Sequence, residues 1–270
     1  MKFNRIFIAL ALASVSFTAC DEVDEADRFK ELEKIESKRT VLLEDFTGQL
    51  CTNCPDGHRL IASLQEQYGE NIIAVGIHAG VFGIGENQLE GAVGLMQPEG
   101  NEYAEKWGVE AYPSAVIDRC SGAIKTTSDW SKVVRDEMTK PTDLNIELSA
   151  TADDKTITIT TKLQPTSDIN GKLQLWITES NIKSFQIDNG SNLMDYVHNH
   201  VYRASVNGTW GEDISLNSNI FPELTHSIAI KDNWNKENLA VVAFVYNDKE
   251  GVVQAAEYKL QENNNILKSK

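Results

Sequence analysis

The chain has 270 residues, of which 41% are hydrophobic and 24% are charged, and its formal net charge is −15. This length is comfortable for two domains with cores of their own. An acidic surface of this kind repels the phosphates of nucleic acids and anionic lipids. The composition therefore argues against nucleic-acid partners and against peripheral binding to an anionic membrane surface.

Residues 1–20 form a targeting segment. Lys2 and Arg5 provide a charged start, and the apolar run Ile6–Ala19 is shorter than the ~20 residues that span a bilayer as a helix. A small residue then precedes Cys20, which looks like a bacterial lipoprotein signal, whose cysteine carries the lipid. We predict an exported protein with a lipid anchor on Cys20 and a soluble body. Ordinary secretion is the alternative.

Residues 21–40 form an acidic tether followed by a short helix. Five of the seven residues 21–27 are acidic, which is typical of a solvated linker. The alternative is a sorting signal, because acids directly after a lipidated cysteine direct some lipoproteins to the cell surface. The sequence does not decide between the periplasmic face and the cell surface.

Residues 41–139 alternate between strand and helix patterns. Val41–Phe46 and Ile72–His78 are continuous apolar runs, which are typical of buried parallel strands. A helix is predicted between them, opened by the segment Cys51–Cys54 and running to about Tyr68.

A Gly-rich segment, Ala79–Gly100, follows the second strand and is longer than most connections, as lids and binding loops often are. Beyond it we predict a helix, a strand, a return strand at Ala123–Thr127 and a closing helix. The order of strand, helix, strand, helix, strand, strand, helix predicts a thioredoxin-like α/β domain.

Residues 140–262 hold seven or more short strands with alternating apolar residues, separated by turn sequences. This pattern predicts an all-β, immunoglobulin-like sandwich domain. One of its strands is predicted as Tyr196–Val206, with His198 and His200 on one face. Residues 263–270 form a polar tail.

Cys51 and Cys54 open the predicted helix of the first domain. N–H groups at a helix N-terminus favour negative charge, so the first sulfur is biased toward an exposed thiolate, and the second lies one turn on. Outside the cytoplasm such a pair is either a redox couple or a static disulfide. We favour thiol–disulfide exchange over a structural role.

Metal binding is a further alternative for the same residues. Cys54 and His58 are four residues apart on one helix face, and His78 ends the neighbouring strand. With Cys51 they would form a set of two sulfur and two nitrogen ligands suited to zinc or copper. Histidines are common on helix surfaces, so we predict no metal and no cofactor.

Two further residues extend the resemblance to thioredoxins. Asp45 lies six residues before Cys51, where thioredoxins place a buried acid that shuttles a proton to the resolving cysteine. Pro113 follows the second helix, where they place a cis-proline against the disulfide. The resemblance implies catalytic roles for Cys51, Cys54, Asp45 and Pro113. The residues between the cysteines differ from those of thioredoxins, so the redox direction is not predicted.

The whole chain resembles the twenty-eight-kilodalton outer-membrane protein family of thioredoxin-like lipoproteins. The similar segments are Glu44–Gly48, Cys51–Pro55 and Asn199–Arg203. The resemblance implies a lipid-anchored protein of the outer membrane.

We predict thiol–disulfide exchange with partner proteins that carry thiols or disulfides, which would make the chain a possible thiol–disulfide oxidoreductase. The alternative is a non-enzymatic surface binding or adhesion lipoprotein, in which the Cys51–Cys54 pair is a structural disulfide.

Overall fold

The computed structural model describes residues 39–260 of the chain. This range contains thirteen β-strands and three α-helices. The helices are α1 (Cys54–Tyr68), α2 (Pro98–Lys106) and α3 (Thr127–Met138). The strands are β1 (Val41–Thr47), β2 (Ile72–His78), β3 (Ser114–Ile117), β4 (Leu144–Ala152), β5 (Thr156–Pro165), β6 (Ile169–Glu179), β7 (Ile182–Asp188), β8 (Ser191–His198), β9 (Val201–Ser205), β10 (Glu212–Leu216), β11 (Glu223–Ala229), β12 (Leu239–Asn247) and β13 (Gly251–Lys259). Among these helices none is long and apolar enough to span a membrane.

Helix α1 shows how the sequence directs local structure. Pro55 is tolerated in its first turn because the N–H that proline lacks would have no partner inside the helix there. Ile61, Leu64 and Tyr68 recur on one face and are buried against β1, β2 and α3. The helix stops at Gly69, which has a positive φ of 57°.

A large mixed sheet runs through the described residues in the order β13-β12-β6-β9-β2-β1-β3, with β10 also paired to β6. β1 is parallel to β2 and antiparallel to β3, and all seven of its residues are buried. The other edge of β2 pairs in parallel with β9, where Gly76 lies opposite Val201. This pairing joins the first strands of the chain to the later ones.

The predicted fold class, a thioredoxin-like α/β domain followed by an all-β immunoglobulin-like sandwich, is wrong. Strands from residues 41–139 and from residues 140–262 belong to one mixed sheet. The predicted strand Ala123–Thr127 is reduced to a single bridge between Ala115 and Ile124, so the expected strand order is incomplete. Hydrophobic periodicity identifies strands, but it does not say which strand edges pair.

A three-stranded antiparallel sheet, β11-β5-β4, covers part of one face of the large sheet. Along β5, alternate residues such as Ile157, Ile159 and Leu163 are fully buried, as expected for a strand with one apolar face. They belong to the same core as Leu175 of β6 and Val241 of β12. Burial of each such side chain contributes about 1.5–3 kcal/mol relative to exposure.

A buried arginine ties several strands together on another part of the sheet. Arg119 follows β3, and its Nε donates to Oε1 of Glu44 on β1 at 2.7 Å. Its guanidinium carbon lies 4.7 Å from the ring centroid of Phe244 and 5.3 Å from that of Trp176. The ion pair and the aromatic faces offset part of the cost of removing water from this charge.

The contact between β13 and the residue after β3 leads to a stability prediction. Gly251 has a positive φ of 71°, and a Cβ atom there would lie 2.1 Å from the carbonyl oxygen of Asp118. We expect Gly251→Ala to lower the free energy of unfolding by about 3 kcal/mol or more, measured by urea denaturation, because left-handed strain and overpacking add.

Gly190 is the matched control, because it has a positive φ of 81° and nothing within 4 Å of an added Cβ. We expect Gly190→Ala to cost about 1 kcal/mol, from left-handed strain alone. Equal losses in the two variants would contradict the role of the contact with Asp118.

Candidate functional site

The paired cysteines lie at the start of α1. Cys54 is the first residue of the helix and Cys51 precedes it by one turn, and the two form a disulfide. The predicted pairing is therefore confirmed. Cys51 is 2% exposed and Cys54 is 0% exposed, so the prediction of an exposed first sulfur is wrong. Two segments from elsewhere in the chain pack on this turn.

The Gly-rich segment is the first of them. The backbone N–H of Leu50 donates to the carbonyl oxygen of Phe82 at 2.9 Å. A Cβ atom on Gly48 would lie 2.5 Å from the Phe82 backbone, so only glycine permits this close approach. The ring of Phe82 packs edge-on against Tyr112, with 5.5 Å between the ring centroids.

The β7–β8 hairpin is the second segment. Ile187 N–H donates to the carbonyl oxygen of Gln49 at 2.9 Å, and Asn189 N–H donates to that of Thr52 at 3.2 Å. These bonds attach β7 and the hairpin turn to the backbone on both sides of Cys51.

Side chains strengthen the attachment of the hairpin. Gln186 Nε2 donates to the carbonyl oxygen of Cys51 at 3.0 Å. On the surface, Arg59 of α1 forms an ion pair with Asp188 at 3.1 Å. The hairpin therefore contacts both the cysteine turn and the helix that follows it.

A buried glutamine joins the two covering segments. Gln49 Nε2 donates to Ser184 Oγ of the hairpin and to the carbonyl oxygen of Val93, each at 3.0 Å. Gln49 Oε1 accepts from the N–H of Leu95 at 3.2 Å. The residue two positions before Cys51 thus positions the Gly-rich segment and the hairpin together.

Pro113 lies beside the same helix start. The Tyr112–Pro113 peptide bond is cis. A Cβ atom added to Gly57, three residues after Cys54, would lie 3.4 Å from Pro113 Cβ. Pro113 therefore packs against the first turn of α1.

Asp45 is buried on β1, and burial raises its pKa to about 8. Its Oδ2 lies 3.5 Å from Nε2 of His58 on α1. Its Oδ1 has no hydrogen-bond partner among the residues that the structure describes. At neutral pH the side chain is a protonated acid, the form that can donate a proton.

Histidines from three parts of the chain line a cavity of about 260 Å³ next to Asp45. His58 is hydrogen-bonded through its two ring nitrogens to Thr47 Oγ1 and to the Tyr196 hydroxyl, each at 2.9 Å. The rings of His78 on β2 and His198 on β8 lie edge to face, 5.3 Å apart. The hairpin therefore contributes one wall of the cavity.

The imidazoles of His58, His78 and His198 are neutral at physiological pH, as is that of His200, which also lines the cavity and whose pKa burial lowers to about 4. Burial lowers the pKa of His58 to about 4 and that of His198 to about 3, and it lowers the pKa of His78 well below its usual range. The Nδ1 atoms of His78 and His198 are buried without a hydrogen-bond partner in the described part of the chain.

The residues of the metal alternative are not arranged as a ligand set. The sulfurs of Cys51 and Cys54 are bonded to each other, so neither is a thiolate in this state. Across residues 39–260, no group of three histidine, cysteine or acidic side chains is close enough to hold a metal ion.

Several residues of the site gave no signal in the sequence. The predicted strand Tyr196–Val206 is interrupted at Asn199 and His200, and His200 has a positive φ of 55°. His198 and His200 therefore do not share a strand face. Gln186 binds the cysteine turn from 135 positions away, and nothing in its neighbouring residues indicates that contact.

Comparisons with known proteins agree with an outer-membrane assignment. The family model of the outer membrane protein Omp28 matches residues 100–264, more than half of the chain. The match begins after the Cys51–Cys54 segment. No curated protein matches the chain.

Solved structures with a similar fold include HBP35 of Porphyromonas gingivalis, with a TM-score of 0.63 and 18% identity over 84% of this chain and 76% of that one. A structural-genomics target from Agrobacterium tumefaciens has a TM-score of 0.50 and 14% identity over 83% of this chain and 95% of that one. A domain of the outer membrane lipoprotein Omp28 from Porphyromonas gingivalis covers 44% of this chain and 88% of its own, at 23% identity and a TM-score of 0.33.

The molecule is thus a cell-envelope protein built on a mixed β-sheet, with a buried disulfide at a helix start. It belongs to the Omp28 family of outer membrane proteins. The predicted family and the predicted location at the outer membrane are confirmed at this level. Cys20, the predicted lipidation site, lies outside the described residues and remains a prediction.

The buried imidazole of His198 leads to a prediction on pH dependence. Its pKa of about 3 lies below the ordinary 6.5, so between these values the unfolded chain binds a proton that the folded protein excludes. Stability is therefore lost as pH falls, at about 1.4 kcal/mol per pH unit for this group. We expect His198→Gln to lose less free energy of unfolding than wild type between pH 6 and pH 4.5, by about 1.4 kcal/mol for each pH unit. Urea denaturation at both pH values measures the difference. Parallel curves for variant and wild type would contradict this.

Burial of Asp45 leads to a pH dependence of stability in the opposite direction from that of His198. The folded protein keeps the proton of Asp45 up to about pH 8, whereas the unfolded chain releases it near the ordinary 3.8. Stability therefore falls as pH rises through this window. Asparagine resembles the protonated acid and does not titrate. We expect Asp45→Asn to be more stable than wild type at pH 7.5, by more than about 1 kcal/mol, with the difference vanishing near pH 4. A variant less stable at pH 7.5 would show that Asp45 is ionised and paired.

Proposed function

We propose that the chain exchanges thiols and disulfides with partner proteins in the cell envelope, as a thiol–disulfide oxidoreductase that uses Cys51 and Cys54. The observation that supports it best is the disulfide at the start of α1, together with a buried acid of raised pKa, Asp45, on the preceding strand β1. A reversible disulfide needs a sulfur that is stable as thiolate and a group that returns a proton to the other sulfur.

In the reduced state, the thiolate of Cys51 attacks one sulfur of a partner's disulfide. The partner's other sulfur leaves as a thiolate, and a mixed disulfide with Cys51 forms. Cys54 then loses its proton, attacks the sulfur of Cys51 and re-forms the Cys51–Cys54 bond. The partner leaves with two thiols and has gained two electrons. The reverse sequence oxidises a partner's thiols.

Asp45 and Pro113 have supporting roles in this proposal. Asp45 accepts the proton of Cys54 during resolution and returns it when the disulfide opens, which its pKa near neutrality suits. Pro113, packed against the first turn of α1, shapes the surface beside the disulfide and keeps metal ions away from the thiols.

A lipid on Cys20 would hold the protein at the outer membrane, with residues 21–40 as the tether.

The burial of both cysteines favours a second candidate function. A disulfide whose sulfurs are shielded is slow to react and can act as a staple. In that case the chain is a non-enzymatic binding or adhesion lipoprotein at the cell surface. The two candidates differ in whether Cys51 reacts without unfolding.

Trapping tests the proposal directly. In a Cys120→Ser background, which removes the exposed free thiol of residues 39–260, we expect Cys54→Ala to accumulate mixed disulfides with partner proteins through Cys51. Resolution is blocked because the second sulfur is missing. Non-reducing electrophoresis followed by mass spectrometry would identify the partners. Cys51→Ala in the same background is the matched control and should trap nothing.

A redox titration separates the candidates. Wild type would be equilibrated with glutathione at graded ratios of thiol to disulfide, and free thiols would be alkylated. Labelling of Cys51 that follows the glutathione ratio supports exchange. A pair that stays oxidised at every ratio, together with an empty trap, would leave only the structural role.

A further inference from the structure

We propose that the β7–β8 hairpin is a hinged cover that occupies the docking edge for the partner's extended polypeptide chain. That edge is the backbone of Gln49–Thr52, on both sides of Cys51. This inference rests on the proposed function and names the partner class and the regulation of the same site.

The hairpin binds this turn mainly through main-chain groups. Three acceptors in it, the carbonyl oxygens of Gln49, Cys51 and Thr52, receive hydrogen bonds from the hairpin. Two of the donors are backbone N–H groups, and the third is the amide of Gln186. Main-chain carbonyls accept equally from any extended chain, so a partner's strand can replace these bonds without a particular sequence.

The hairpin is built as a separable unit. β7 and β8 pair only with each other among the named strands, and they form a two-stranded sheet of their own. An isolated two-stranded hairpin is marginally stable, so its position depends on its contacts with the rest of the molecule.

Its two ends are sharp joints. Asn181, just before β7, has a positive φ of 58°, and His200, just after β8, has a positive φ of 55°. Rotation about the φ bonds of these two residues would move the hairpin while the carbonyl oxygen of His200 stays hydrogen-bonded to the N–H of Gly76 on β2.

Several contacts between the hairpin and the residues beneath it are polar. Ser184 donates to the carbonyl oxygen of Val93 and Gln186 to that of Cys51, and Tyr196 is hydrogen-bonded to His58. The apolar contact of Ile182, at the base of the hairpin, is with Leu95 and Val201. Water can replace hydrogen bonds of this kind at small net cost, whereas it cannot replace an apolar core. At the surface, the ion pair of Asp188 with Arg59 attaches the hairpin to α1.

These features assign a sequence of events. With the hairpin closed, Cys51 is shielded from a protein-sized partner. When the hairpin moves away, the carbonyl oxygens of Gln49, Cys51 and Thr52 become free to accept other hydrogen bonds. An extended segment of the partner can then bind there and place its own cysteine near Cys51. The class of partner is therefore a polypeptide that presents a cysteine in an extended segment, in preference to a small thiol.

The test compares two thiols on the oxidised protein, in the Cys120→Ser background. The probes are reduced glutathione and an unstructured nine-residue peptide with one central cysteine. The rate of reduction of the Cys51–Cys54 disulfide is measured by alkylation and mass spectrometry. The opened variant combines Gln186→Ala with Asp188→Asn, and Asp188→Asn alone is a milder form.

We expect the double variant to be reduced about tenfold faster than wild type by the peptide, because one buried hydrogen bond and one ion pair are lost. The ratio of peptide rate to glutathione rate should rise as well. Amide hydrogen exchange of Ile187 and Asn189 should accelerate in parallel. Asp213→Asn, which removes the exposed ion pair with Lys172 on β6, is the matched control and should change neither rate.

Unchanged rates in both opened variants, with the fold verified by circular dichroism, would overturn the cover. Equal acceleration with the two probes would overturn strand docking. If the opened variant is reduced faster by the peptide but Cys54→Ala traps no partner, the hairpin is a cover and the proposed exchange with envelope proteins is rejected. If neither thiol reduces any form of the protein, the cover and the proposed exchange are both rejected.

Discussion

The backbone N–H of Gly76 on β2 donates to the carbonyl oxygen of His200 at 2.8 Å, and the parallel pairing of β2 with β9 begins there. The rest of the structure depends on this short contact. It continues the sheet of β1, β2 and β3 into β9, β6, β12 and β13. Because the β7–β8 hairpin ends immediately before β9, the same contact brings the hairpin over the start of α1. The buried Arg119, held between Glu44 and the aromatic rings, reinforces the joined sheet.

Two opposing effects act on Cys51. The helix start stabilises a thiolate through the N–H groups of the first turn. Burial acts in the other direction, because a charged sulfur away from water is unfavourable. In the closed arrangement burial dominates and protects the disulfide, and in an open one the helix start would govern reactivity. The hydrogen bonds of Gln186 and of the hairpin backbone hold the closed arrangement, so the sequence motif alone does not establish reactivity.

Desolvation also explains how so many titratable groups share one cavity. Loss of water raises the pKa of Asp45 and lowers the pKa of His58, His78 and His198, so acid and bases are all neutral near pH 7. Neutral side chains at the buried end of the cavity avoid the cost of buried unpaired charge, and the charged Arg59 at its rim is paired with Asp188. Desolvation also leaves a proton on Asp45, beside the histidine that follows Cys54 by one turn. The protonation states are a consequence of packing between α1, β2 and β8.

Local features of this protein could be predicted from its sequence. Apolar runs and periodicity located β1, β2 and α1, and the spacing of Cys51 and Cys54 at a helix start indicated their disulfide. The similarity of short segments pointed to the outer-membrane family. These properties depend on residues close together in the chain. Tertiary structure alone decided that β2 pairs with β9, that His78 meets His198, and that Gln186 covers Cys51. Strand edges present the same backbone groups whatever their sequence, so their pairing depends on how the whole chain packs. The cysteine motif was therefore readable from the chain, and its burial was not.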